Sequence, residues 1–176
     1  PGGSHMIDKQ EVLAYLHQID KQLGKKVTLV AVGGTAMTLY GLKEATKDVD
    51  FCAANKEDFS IISSIAKKIS GKFRLDLFSE GHIYILQLPD DYTAKSRPLK
   101  VQFKNLEVKL LSPIDIILTK TSRLNERDIE DIQALISKKR VNKKKLIERY
   151  NLVKGTYAGN EAAFHDRFEQ VIKEFF

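Results

Sequence analysis

The chain has 176 residues, 43% of them hydrophobic, and 29 Lys and Arg against 23 Asp and Glu give a net charge of +6 at pH 7. That length suits one domain that buries its own core without disulfides, and leaves no room for a second catalytic domain. The single cysteine, Cys52, excludes an intrachain disulfide, and no apolar run reaches the roughly 18 residues that cross a bilayer.

With no signal-like segment after Met6, the expected address is the cytoplasm, without membrane contact. Residues 1–5 read as a cloning remnant, so His5 is set aside as a ligand and the natural chain is expected to begin at Met6. Val12, Tyr15, Leu16, Ile19 and Leu23 recur at helical spacing and predict an amphipathic helix over 8–23 that stops at Gly24. An apolar strand follows over 27–32, then a two-turn helix over 35–40 closed by Gly41, and a strand over 48–53. The next helix spans 56–70, with Phe59, Ile62, Ile65, Ala66 and Ile69 inward and Gly71 at its end. Alternation predicts strands over 72–78, 82–88, 99–103 and 106–111, the last two joined by Lys104-Asn105 as a two-residue hairpin turn.

From Ser112-Pro113 the pattern turns wholly helical: 113–123, 126–138, 142–150 and about 160–176, with Ser112, Asn142 and Asn160 as N-caps. The expected fold is therefore α+β. A mixed sheet flanked by helices occupies 6–111, and a helical region over 112–176 shares an interface with it.

Two short motifs suggest chemistry. Gly33-Gly34-Thr35 opens a helix straight after an apolar strand, where unpaired backbone N–H groups suit phosphate. Asp48 and Asp50 lie two apart on a predicted strand and so share a face, as half of a magnesium site would require. Moving a nucleotide from a triphosphate crowds negative charge at the reacting phosphorus. Two divalent ions about 3.5–4 Å apart, held by carboxylates, relieve it.

Gly33-Gly34-Thr35 followed after twelve residues by Asp48-x-Asp50 resembles the signature of the polymerase-beta-like nucleotidyltransferase superfamily. The resemblance implies a nucleotidyltransferase-like fold. It implies Gly33, Gly34 and Thr35 as triphosphate contacts, Asp48 and Asp50 as metal ligands, and a third carboxylate on the next strand, for which Asp76 is preferred over Glu107. The segment from Leu111 to Lys120, with Arg127-Asp128-x-x-Asp131 after it, resembles the narrower branch of abortive-infection nucleotidyltransferase toxins. On that likeness Lys120 would reach a triphosphate oxygen, and Asp128 or Asp131 would orient it or stand near the acceptor. Two departures are visible: Thr35 replaces the usual serine, and the stretch from Lys43 to Lys47 shows lysine where an arginine often precedes the acidic pair.

Each piece also has a plainer reading. A strand-to-helix turn takes glycine for its backbone alone, alternating acids on a strand can simply face water, and Lys120 can be a solvated helix residue. Arg127, Asp128 and Asp131 can be a cap with intrahelical charge pairs. Lys138, Lys139, Arg140, Lys143, Lys144 and Lys145 form a basic run that reads equally as a nucleic-acid contact or a solvated lysine-rich face. No paired-cysteine or His-Glu-x-x-His pattern suggests zinc, and the stripe Phe164, Phe168, Val171, Ile172, Phe175 reads as core or dimer contact.

The expectation is a Mg2+-dependent enzyme that takes an NTP and moves NMP onto RNA, tRNA above all, or onto a protein, with a cognate toxin or antitoxin as a possible partner. The rival expectation is an inactive relative that binds nucleotide, RNA or a partner protein.

Overall fold

The computed structural model describes residues 5–69, 71 and 73–176. Strand β1 (Ile7–Asp8) leads into helix α1 (Lys9–Gln22). Asp8 caps that helix by accepting from Glu11 N–H at 2.9 Å, while the Glu11 carboxylate reaches back to Asp8 N–H, a reciprocal capping box. Next come β2 (Val27–Ala31), α2 (Gly33–Leu39), β3 (Ala45–Thr46), β4 (Val49–Ala53), α3 (Lys56–Lys68) and β5 (Leu75–Ser79). Beyond them lie β6 (His82–Ile83), β7 (Leu86–Gln87), α4 (Tyr92–Lys95), β8 (Arg97–Pro98) and β9 (Leu106–Leu110). The helical half is α5 (Pro113–Thr121), α6 (Glu126–Lys138), α7 (Lys143–Val153), a 3-10 turn (Lys154–Thr156) and α8 (Glu161–Phe175).

Among the described residues, seven strands form one mixed sheet in the order β7-β6-β5-β4-β2-β9-β8. β2 runs parallel to β9 and antiparallel to β4, and β4 runs parallel to β5. Every residue of β4 is buried, as suits a central strand covered on both faces. α3 packs on β4 and β5, α1 packs on α3 and β9, and α2 packs on β4 and α5.

The two halves interlock. Lys43 pairs with Asp131, Asp91 with Arg149, and Thr156 Oγ1 accepts from Gln87 N–H while donating to Gln87 O. The C-terminal aromatic stripe is core: Phe164, Phe168 and Val171 are buried, and Phe168 stacks on Tyr150 at 3.9 Å between centroids. The N-caps expected at Ser112, Asn142 and Asn160 each accept an N–H from the third residue onward. Cys52 is buried, where its thiol lies 3.6 Å from Tyr92 Oη and accepts from Gly81 N–H.

Four expectations differ from the structure. The run 82–88 is a hairpin rather than one strand, because Tyr84 takes φ +56° and Tyr84-Ile85 turns the chain back so that Ile83 pairs with Leu86. No strand forms over 99–103 and no hairpin at Lys104-Asn105. Edge strand β8 holds only two residues, and the buried Asp20 carboxylate gathers the N–H groups of Lys104, Asn105 and Leu106 at 2.8 Å each. Burial opposes ionisation there, yet those three donors hold the Asp20 carboxyl below its ordinary range. α2 begins at Gly33, two residues earlier than expected. The strand expected from residue 72 is seen from Leu75; Lys72, like Ser70 at the expected end of the preceding helix, lies outside the described residues.

Candidate active site

The two motifs meet through one hydroxyl. Thr35 Oγ1 donates to Asp48 O at 3.1 Å and accepts from Asp50 N–H at 2.8 Å, so the first turn of α2 is tied to the start of β4. Thr46 Oγ1 donates to the same Asp48 carbonyl at 3.0 Å, which holds Asp48 in a bend just before the strand. Thr35 is fully buried, so its side chain latches the acidic strand and does not face the cleft where a phosphate contact was expected of it.

Removing the latch has a measurable cost. Thr35→Val keeps the shape but leaves the buried Asp50 N–H without this acceptor and the Asp48 carbonyl with Thr46 alone of its two hydroxyl donors, and should lower stability by about 1–3 kcal/mol. Urea midpoints at constant slope test this; an unchanged midpoint would show that the latch contributes nothing.

Glycine is required at both preceding positions. Gly33 has φ +53°, and a Cβ there would stand 3.0 Å from Tyr84 Oη and 3.1 Å from the Asp50 carboxylate. A Cβ on Gly34 would fall 2.5 Å from Thr46 Oγ1. The backbone therefore passes close beside the carboxylates, and the first N–H groups of α2 have no intrahelical acceptor.

Asp50 and Asp76 are register partners on the parallel strands β4 and β5, and with Asp48 they line one cleft of about 330 Å3. Asp50 is buried, and its carboxyl is pushed up to about 7, first by burial, then by the charges of Asp76 and Asp48. The Lys120 ammonium pulls the other way. Asp76 is half-buried and accepts from the exposed Arg74 guanidinium at 3.0 Å.

On the far wall Lys120, 5% exposed, is not the solvated residue that its helix position allowed. Its Nζ lies 2.7 Å from Asp131 and 3.6 Å from Asp128, which α6 presents on one face. Asp128 also accepts a two-pronged contact from Arg123 at 2.8 Å and completes a capping box with Asn125. Burial opposes its ionisation, but Arg123, the Asn125 N–H and Lys120 together hold its carboxyl low. Asp128 thus fills both the capping role and the lysine-orienting one.

The cleft also holds Lys43, and two groups that the sequence did not single out, Tyr84 and Arg123. Tyr84 arrives from the β6–β7 turn with Arg123 over its ring at 5.8 Å, and only the folded hairpin brings it there. Arg123 carried a faint local signal, a basic residue five before the acid of a helix cap. Six cationic side chains face five carboxylates, and among the described residues only Lys47 and Arg127 of those cations lack an ion-pair partner.

Hard carboxylate oxygens and the like charges crowded at Asp50 and Asp76 are the chemistry that a divalent cation would relieve. Yet among the described residues no three Asp, Glu, His or Cys side chains already converge on a single point. The donor set fits the ion in kind, with Asp50 and Asp76 as the formed pair and Asp48 at the rim.

The basic run lines a pocket only in part. Lys139, Arg140 and Lys145 line a separate cavity, whereas Lys138, Lys143 and Lys144 are exposed and do not. Lys139 Nζ sits 4.8 Å over the Tyr40 ring.

Over residues 10–175 the chain matches the family described as nucleotidyltransferase of unknown function (DUF6036). Among solved structures it is similar to the crystal structure of an antigenic nucleotidyltransferase-like protein from Paracoccidioides brasiliensis. The TM-score is 0.51 at 16% identity, over 76% of this chain and 78% of that one. At such identity the likeness concerns the fold alone, which is nucleotidyltransferase-like α+β, a mixed sheet flanked by helices. Comparison with curated proteins gives no match.

Proposed function

Because the chain belongs to this nucleotidyltransferase family, we propose that it moves NMP from an NTP to an acceptor hydroxyl with release of pyrophosphate. The observation that carries the reading is the latch. A buried Thr35 hydroxyl joins the Gly-Gly turn to the Asp48–Asp50 strand, so the phosphate-suited backbone and the carboxylate pair share one cleft.

In this reading the acceptor oxygen attacks the α-phosphorus, the bond to the bridging oxygen breaks, and pyrophosphate departs. Asp76, exposed enough to meet solvent, or Asp50 takes the hydroxyl proton. Lys120, held in place by Asp131 and Asp128, meets charge on the leaving group. Its orientation is set in advance, so little reorganisation is needed as that charge develops. Backbone N–H groups at Gly33 and Gly34 cradle phosphate oxygens. Mg2+ held by Asp48, Asp50 and Asp76 would supply neutralisation of the triphosphate and acidify the acceptor hydroxyl.

RNA is the preferred acceptor, supported by the basic residues beyond the cleft, and tRNA would be its first test substrate. A role in a toxin–antitoxin pair and a place in the cytoplasm rest on the resemblance and composition alone. A second reading, nucleotide or partner binding without turnover, draws on the carboxylates that do not converge among the described residues.

Incubation with each α-labelled NTP, Mg2+, total tRNA and cell lysate, beside the Asp48→Asn/Asp50→Asn variant, separates the readings. Label passing to RNA only with the unmodified chain supports transfer to RNA. Label on protein moves the acceptor to that class. No label from folded protein favours binding without turnover.

A further inference from the structure

A second cavity is larger than the acidic cleft. It measures about 550 Å3 and lies where the start of α5, the α6–α7 turn and α4 come together. It shares no lining residue with the cleft. Its walls carry Lys95, Arg97, Lys139, Arg140, Lys145 and Arg149 against only two carboxylates, Asp91 and Glu148.

The carboxylates do not cancel that charge. Asp91 is committed to Arg149 at 2.8 Å and lies 4.0 Å from Lys95. Arg149 is further neutralised by buried Asp115, which receives Nε at 2.8 Å and Nη2 at 3.0 Å. Among the described residues Arg97, Lys139, Arg140 and Lys145 have no acidic partner, so four cations line one solvent-open cavity with Glu148 alone opposing them.

Two further features point the same way. α5 and α7 both start at this cavity, at Ser112-Pro113 and at Asn142, and add the positive ends of their dipoles to the side-chain charge. Arg140 is held at φ +50°, a conformation unfavourable for a side chain-bearing residue, and in it the turn places Arg140 and Lys139 together on the wall.

We propose that this cavity is a binding site for phosphate groups, separate from the cleft. The phosphates belong either to a small organic phosphate or to successive phosphodiesters of a nucleic-acid strand. Strand binding would be geometrically coupled to the cleft, because α5 and α6 span both. Ile114 and Lys120 are six residues apart on α5, and Asp131 lies eight before Lys139, axial separations of about 9 and 12 Å. The site is defined by its own groups and stands whether or not the cleft transfers a nucleotide.

Amide NMR shifts of the 15N-labelled chain, without Mg2+, test it with inorganic pyrophosphate and with a single-stranded oligouridylate of eight nucleotides. Shifts at Ser112, Ile114 and Arg140 to Lys145 are expected, distinct from any at Gly33 to Thr35 that report on the cleft. The variant Arg97→Ala/Arg140→Gly/Lys145→Ala should weaken those shifts at least tenfold. All three side chains are exposed and glycine relieves the backbone at 140, so the fold is not at risk.

If the oligonucleotide binds more tightly, and the variant lowers its log-log salt slope by about two, the ligand is a strand. Equal affinity for both probes identifies a small phosphate. Shifts confined to the cleft, or unchanged affinity in the triple variant, would overturn the site.

Discussion

Asp50→Asn is expected to abolish nucleotide transfer and, at the same time, to make the protein more stable above pH 7. The Asp50 carboxyl is pushed up to about 7 by burial and by the Asp76 and Asp48 charges, whereas an unfolded aspartate titrates near 3.9. Between those values the folded chain holds a proton that the unfolded chain has released. The stability contributed by neutral Asp50 is therefore fully present below about pH 4 and lost as pH rises through 7. At pH 8 the ionised carboxylate costs on the order of a few kcal/mol, which the neutral amide avoids.

Urea midpoints of both proteins between pH 5 and 8, without divalent ions, measure the effect. The gap should open as pH rises and close on adding Mg2+, which favours ionised Asp50 in the unmodified protein. Parallel profiles would mean that the crowding at Asp50 is relieved some other way. A site whose cation-free form carries such a cost trades stability for function.

Asp115→Ala should have the largest structural effect, a loss of about 3–5 kcal/mol, because it leaves a buried guanidinium with half its counter-charge. Asp115 is wholly buried and Arg149 is 6% exposed, and their two-pronged contact joins α5 to α7. Only Asp91, half-exposed on the loop before α4, would remain to pair with Arg149. Thermal unfolding followed by circular dichroism should show the loss, and Asp115→Ala/Arg149→Met should recover much of it by removing the stranded charge. A double variant as unstable as the single one would show that packing, not charge, is what Asp115 supplies. Arg149 also lines the basic cavity, so the single variant should loosen it while leaving Asp50 and Asp76 in register.

What could be read from the chain alone follows the range of the interactions involved. Caps at Ser112, Asn142 and Asn160 act over three residues, apolar stripes over three or four, strand alternation over two, and all of these are printed in local order. Hence the helices of the C-terminal half were legible to within about three residues, α7 running on to Val153, and Asp50 could be placed on its strand although Asp48 lies in the bend before it. The absence of a strand over 99–103 was not legible. Nor was the loss of the hairpin at Lys104-Asn105, where Asp20, more than eighty residues away in sequence, accepts from the N–H groups of Lys104, Asn105 and Leu106.

The same distinction divides the candidate site. The sequence by itself determined which residues could do the chemistry: Asp48 and Asp50 two apart, Asp76 on a following strand, Lys120 on a helix before Asp128 and Asp131. Only the tertiary structure decided what each does. It turned the Thr35 hydroxyl inward as a latch, buried Lys120 against Asp131, split the basic run between a cavity and open surface, and brought Tyr84 to the cleft. Those outcomes depend on which side chains meet across the fold and on how much water they leave behind. Desolvation and charge pairing are properties of that meeting and have no periodicity along the chain.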